Sequence, residues 1–365
     1  MRPHLLIAGL LAALASGTAP PAYLEPLAFE RLPVGAIRPS GWLQDQLQTA
    51  ANGFTGHLCD FYNLCHNSTW MGGDQEAPNP EVLAYWLNGA APLAFQLQDS
   101  HHLRGIVGSV VDYILEHPQA DGLLGAPLVE IGTKGKPPRF GNGTMYWAKS
   151  VVVHALQQYA EGNASDSRTI PALKRHFASI TEHLKTTPPA MWGASRWVES
   201  ALGMQWMMDR GLGGVELLDS LHSLRNQSIQ IYDWQQRFLD DGPIWMNWDI
   251  LNLTEKELHH GVNLAEAIKL GAVWSRVTGQ QSDLHNTAVA LDRLTRIAGS
   301  PSGAFISDEV LTPPNTAARG KGYIGVVRGH SPIMFATRYR DLQRRRDHVF
   351  DGDGLLDFGQ PLLCR

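Results

Sequence analysis

The stretch His101-His102-Leu103-Arg104-Gly105-Ile106-Val107-Gly108-Ser109-Val110-Val111-Asp112-Tyr113-Ile114-Leu115-Glu116 decides the fold. Its apolar residues Leu103, Ile106, Val107, Val110, Val111 and Ile114 recur at i, i+3, i+4, i+7, i+8 and i+11, which is one face of a helix with 3.6 residues per turn. The spacing predicts an amphipathic helix over 101–116. Toward the C-terminus the same logic returns from Pro171 to Leu184, with Leu173, Phe177, Ile180 and Leu184 in the stripe. It returns again in Trp197, Ala201, Met204 and Met208 before Gly211. Further helices are expected over 40–51, 80–97, 145–160, 213–224, 262–278 and 282–298, with Ser282 as an N-cap and Gly279 and Gly299 as C-caps. Strand signals are sparse.

Short connections between successive helices imply antiparallel hairpins, and a long run of hairpins must close into a toroid or extend as a solenoid to bury both faces. No repeat of fixed length is visible, which favours the toroid. The fold class is therefore all-α. Within it the 262–278 segment has a narrow stripe of small residues, Leu264, Ala267, Ile268, Gly271 and Ala272, as close helix packing requires. Its polar entrance, His259, His260 and Asn263, is expected to project toward a ligand, the bland alternative being that these residues only cap the helix.

Composition limits the compartment and the partners. Met1-Arg2-Pro3-His4 followed by the apolar run Leu5 to Ala15 is too short to span a bilayer and ends in small residues, which reads as a secretory signal peptide over 1–19. Five N-x-Ser/Thr sequons, at Asn67, Asn142, Asn163, Asn226 and Asn252, each near a turn or polar stretch, suit an exported, extracellular chain. Three cysteines are too few for a disulfide scaffold. Cys59 and Cys65 are compatible both with a bridge and with two free thiols in a loop. A net charge of -5 with no basic stripe before the tail argues against nucleic acid, and no membrane partner is expected.

Aromatic residues gather in loops and helix starts: Trp70, Tyr85 and Trp86 beside Asn88, Tyr146 and Trp147, Trp192, Trp234, Trp245 and Trp248. Sugar rings pack their C–H faces on aromatic side chains, so such a set suits a carbohydrate substrate. Filling of a helical core is the competing reading, and it is stronger for Trp197 and Trp274. The acidic pair Asp308-Glu309 supplies a candidate proton donor for glycoside cleavage, with Asp308 grouped among the substrate-binding residues.

Four groups of residues together resemble glycoside hydrolase family 127, the β-L-arabinofuranosidase-like family formerly called domain of unknown function 1680. They are Gly56-His57-Leu58 with Asn67-Ser68-Thr69-Trp70-Met71-Gly72-Gly73; Tyr85-Trp86-Leu87-Asn88-Gly89 with Pro92-Leu93-Ala94; His260-Gly261-Val262-Asn263; and Asp308-Glu309 with Pro314-Asn315 and Arg319-Gly320. The resemblance covers roughly residues 27 to 320 and is closest to secreted fungal members. It implies an (α/α)6 barrel over 20–320 acting on plant-wall or glycoprotein L-arabinofuranosides, with Glu309 as general acid/base. It also implies substrate binding by Trp70, Tyr85, Trp86, Asn88, His260, Asn263 and Asp308.

The chain departs from that family after Gly320. Intact members bind zinc through a Glu-x-Cys pair and use a later cysteine, in a Cys-Pro-Pro-Asn-like segment, as the nucleophilic thiolate. Here Lys321-Gly322-Tyr323-Ile324-Gly325 stands in place of the Glu-x-Cys pair, and Thr312 precedes Pro313-Pro314-Asn315 where a cysteine would be required. The expectation is that this chain holds no metal or other cofactor. Residues 321–365 read as a divergent basic tail, either out of frame or genuine, and the barrel is expected to lack its closing helices. Three functions stand: a family 127-like glycosidase impaired as written, a glycan-binding pseudoenzyme, and a zinc-independent α/α-barrel lyase or uronide hydrolase.

Overall fold

The computed structural model describes residues 23–27, 29, 31–62, 65–66, 68–73, 81–97, 100–125, 128, 142–240, 242, 244–245, 258–299, 305–307, 310–311 and 323–325. The signal-peptide region, Asp308, Glu309 and all of 321–365 except Tyr323–Gly325 lie outside them. Most of the described residues are helical. The helices are α1 (Gly41–Asn52), α2 (Phe54–Phe61), α3 (Glu81–Gln96), α4 (His101–Glu116), α5 (Tyr146–Gly162), α6 (Thr169–His183), α7 (Trp192–Ser195), α8 (Trp197–Asp209), α9 (Val215–Ile229), α10 (Trp234–Leu239), α11 (Gly261–Ala267), α12 (Leu270–Thr278) and α13 (Gln281–Ala298). A 3-10 turn covers Thr69–Met71. A short ribbon joins β1 (Phe305–Ser307) to β2 (Tyr323–Gly325), antiparallel with Ile306 opposite Ile324.

Burial sorts the helices into two layers. In α5 thirteen of seventeen residues are buried, and in α8 eleven of thirteen, so both are covered on every side. By contrast α4 buries only the stripe Leu103, Val107, Val110, Val111 and Ile114 together with Leu115, as an outer helix does. The packing follows this sorting. Helix α3 lies on α5, α5 on α8 and α8 on α12, while α4, α6, α9 and α13 each back onto the inner helix that precedes them in the chain. Close approach is set by glycine. A methyl group on Gly203 would lie 3.1 Å from Val153 of α5, and one on Gly271 would lie 2.2 Å from the Asp283 carbonyl of α13.

Polar side chains fasten the layers where helix geometry leaves backbone groups without partners. Pro92 sits inside α3 and brings no N–H to the carbonyl of Asn88 four residues earlier. Gln158 of α5 supplies one, with Nε2 3.4 Å from that carbonyl and 2.7 Å from the Asn88 side-chain oxygen. At the C-terminal end of α3 the carbonyls of Ala94 and Leu97 accept from Arg104 at 2.6 and 2.7 Å, and those of Phe95 and Gln96 accept from Arg38. Such cations also complement the helix dipole. Further along, Gln157 donates to the Gly203 carbonyl at 2.9 Å and Gln205 to the Val273 carbonyl at 2.8 Å, tying α5 to α8 and α8 to α12.

Several expectations need correction. The helix expected over 262–278 is two, α11 and α12, because the backbone tightens at Ile268 and Lys269 within a segment buried from 263 to 276. Its entrance does not project: His259 is 5% exposed and Asn263 fully buried. Gly279 ends α12 in the left-handed conformation as expected, at φ 69, whereas Gly299 after α13 is extended. Gln280, not Ser282, precedes α13. Of the sequons, Asn142 lies exposed in a turn and Asn163 follows α5, but Asn226 sits within α9. Asn67 and Asn252 lie outside the described residues. Cys59 and Cys65 form a disulfide. No helix among the described residues is long and apolar enough to cross a membrane.

Candidate functional site

The first turns of the inner helices meet around one guanidinium. Arg196, at the N-cap of α8, is 6% exposed. Its Nε donates to Asn263 Oδ1 of α11 at 2.7 Å, and its Nη1 reaches the Tyr85 hydroxyl of α3 at 3.4 Å. Its guanidinium carbon lies 5.3 Å from the Trp147 ring centre in α5 and 5.9 Å from that of Trp192 in α7. Those indoles stack on one another at 5.4 Å and 20°. Trp192 is half-buried, so the stack presents one edge outward. Met191, immediately before it, has φ 43, the one non-glycine residue with positive φ among those described. Strain of this kind persists where the surrounding structure over-determines the backbone.

A buried polar triad braces the same end. Lys269, at the break between α11 and α12, pairs with Glu199 in the first turn of α8, and both are buried. His154 of α5 lies 3.7 Å from the other Glu199 oxygen and donates through Nε2 to the Glu199 carbonyl at 3.0 Å. Burial holds the His154 imidazole down to about 4; the Glu199 charge offsets this in part, and the Lys269 charge adds to it. His154 is therefore neutral at ordinary pH.

Val310 and Leu311 reach this end through backbone pairing. Val310 bridges His260 in antiparallel fashion, and the Leu311 amide donates to the His259 carbonyl at 2.8 Å. His260 caps α11 and is half-buried. His259 is turned inward, where its Nδ1 meets the Ile244 carbonyl at 2.9 Å. Glu309 and Asp308 lie outside the described residues.

Of the residues predicted to bind substrate, the structure brings together Tyr85 and Asn263, through Arg196, with His260 close to Asn263 along α11. Trp70, Trp86 and Asn88 have other partners, and Asp308 lies outside the described residues. Trp86 is 7% exposed and donates its indole N–H to the Thr55 carbonyl at 2.9 Å, so it holds α2 to α3. Asn88 answers the Pro92 gap described above. Trp70 is 2% exposed, with the Lys149 amine 5.3 Å from its ring centre, and a methyl group on Gly125 would lie 1.9 Å from that ring. The sequence reading missed Arg196, Glu199, His154 and Lys269. Charges interrupting apolar helical runs were the available signal.

The zinc that the resemblance implies does not fit the residues described. Tyr323–Gly325, in place of the expected Glu-x-Cys pair, offers no thiolate or carboxylate and pairs with β1. Cys59 and Cys65 are committed to each other. No family model, curated protein or solved structure matches the chain.

Proposed function

We propose that the chain is a secreted carbohydrate-active protein of the glycoside hydrolase family 127 type, an (α/α)6 barrel that binds L-arabinofuranosides at the Arg196 end. The observation that carries this reading is the set of Trp147, Trp192, Tyr85, Arg196 and Asn263 toward the N-terminal ends of five helices, α5, α7, α3, α8 and α11. Aromatic faces receive the C–H side of a sugar ring, and the guanidinium and amide suit its hydroxyls. The helix N-termini add partial positive charge to that end. Glu309 is assigned as proton donor on the resemblance alone, and its neighbour in sequence, Val310, pairs with His260. The Cys59–Cys65 bridge suits an oxidising compartment.

Turnover of arabinofuranosides by the family's route requires a thiolate nucleophile, and the cysteines among the described residues, Cys59 and Cys65, are joined in a disulfide, so glycan binding without efficient hydrolysis is the form of the function assigned to the chain. A second reading, a zinc-independent lyase or uronide hydrolase, is favoured only by Arg196, whose guanidinium would pair with a uronate carboxylate.

Titrating the protein with an L-arabinofuranosyl oligosaccharide and with an unsaturated uronide, followed by indole fluorescence, separates the readings. Binding of the arabinoside that is lost in Trp192→Ala, with helical content unchanged, is the expected result. Cleavage of the uronide would move the assignment to the second reading. Failure of both ligands to bind, or equal arabinoside binding by Trp192→Ala, would overturn the site.

A further inference from the structure

Helices α2 and α4 carry a set of metal-ligating groups that the proposed function does not use. His57 and Asp60 are three residues apart on α2 and so share one face, with His57 Nδ1 2.6 Å from Asp60 Oδ2. His102, second residue of α4, lays its ring on that of His57, with centres 5.0 Å apart and planes inclined by 28°. One ligand atom from each of the three residues lies within 4.8 Å of the other two, and all three residues are exposed. We propose that His57, Asp60 and His102 bind a divalent transition-metal ion of the zinc, cobalt, nickel or copper class.

The donor set selects that class. Two imidazoles and one carboxylate suit borderline metals, whereas calcium and magnesium prefer all-oxygen shells. Three protein ligands on an exposed face leave a further coordination position open to water or a ligand, unlike a closed four-ligand structural site.

The scaffold beneath is held on independent grounds. The Thr55 carbonyl in α2 takes the Trp86 indole N–H, and the Cys59–Cys65 disulfide ties the helix to the following loop. The His102 Nε2 meets the Gly56 carbonyl at 3.1 Å. A backbone carbonyl holding one ring nitrogen is how metal-ligating histidines are commonly oriented, with the other nitrogen left to the metal. Little movement is required, because the groups already converge.

The test is a titration of the full chain, stripped with chelator, with Zn2+ alone by calorimetry, and with Ca2+ as the contrasting ion. One Zn2+ per chain is expected, with no Ca2+ binding, and with a rise in the unfolding temperature that only Zn2+ produces. His102→Ala should weaken Zn2+ binding by at least about tenfold and abolish the rise. The three side chains are exposed, so His57→Ala and Asp60→Asn variants retain the fold, as helical circular dichroism would verify, and should behave in the same way. His117→Ala, an exposed histidine elsewhere on α4's C-terminal side, should bind as the unaltered chain does. Absence of Zn2+ binding tighter than millimolar, or undiminished binding by a His57→Ala/His102→Ala double variant, would overturn the site.

Discussion

Two buried lysines in the inner layer meet opposite fates. Lys269 is buried together with the carboxylate of Glu199, and the two form an ion pair inside the protein. Lys149, equally buried, donates to the neutral Leu124 carbonyl at 2.7 Å. The carboxylate that influences it, Asp121, stays half in water and serves the Leu123 amide, the Ser179 hydroxyl and the His183 ring. Burial accordingly pushes the Lys149 amine down to about 7, and the Asp121 charge offsets only part of that. Each region also holds a histidine that burial keeps neutral, His154 at about 4 and His176 at about 3. Where the anion is buried with the cation, the two pair directly, and the pair braces the helix that carries Arg196. Where the anion remains at the surface, the cation drifts toward neutrality and the region behaves as core.

The sharpest way to break this contrast is Glu199→Leu. It strands Lys269 in the interior and should cost about 3–5 kcal/mol in urea unfolding. Adding Lys269→Met should restore most of that loss, because replacing a whole buried pair by apolar groups is far milder than removing one partner. A double variant as unstable as the single one would show that the pair does not act as a unit.

Acid comes next. Both histidines have folded-state values below the unfolded 6.5, so below 6.5 the unfolded chain binds more protons and stability falls with falling pH, down to about 4 for His154 and about 3 for His176. His154 contributes on the order of 3 kcal/mol over its window and His176 on the order of 5 kcal/mol. Stability is complete above 6.5. Unfolding midpoints measured between pH 7 and 4 should show this slope, and His154→Gln and His176→Gln should each flatten it. A flat profile in the unaltered chain would mean that neither ring is held neutral.

The smallest effect belongs to Asp121→Asn. Its partner His183 is 28% exposed and Asp121 itself 47%, so solvent screens the pair and the loss should stay near 1 kcal/mol or below. A loss as large as that for Glu199→Leu would erase the distinction between the two regions.

Much of the architecture was legible in the chain and much of the site was not, for separable reasons. The stripe of 101–116 named α4 with its observed bounds, because a one-sided helix writes its burial into its periodicity. The 262–278 segment misled because it is buried on all sides, and periodicity carries no signal for a backbone step such as that at Ile268 and Lys269. Trp70, Trp86 and Asn88 stood out by residue type, yet their partners are Lys149, the Thr55 carbonyl and Gln158, between 31 and 79 positions away in the chain. Arg196 carried no local mark beyond a charge in an apolar run. Its significance comes from contacts with residues on four other helices, which only the packed chain supplies.

The meeting of Gly125 with the Trp70 ring restricts what substitution can reach. Gly125 has φ 69, and any side chain there would run into the indole whatever its chemistry. Of the twenty amino acids position 125 accepts one, and its tolerance is fixed by a neighbour 55 positions away in the chain. A variant library of this chain would find that site as intolerant as any in the core. Its intolerance would concern the wall of Lys149 and carry no information about ligand recognition.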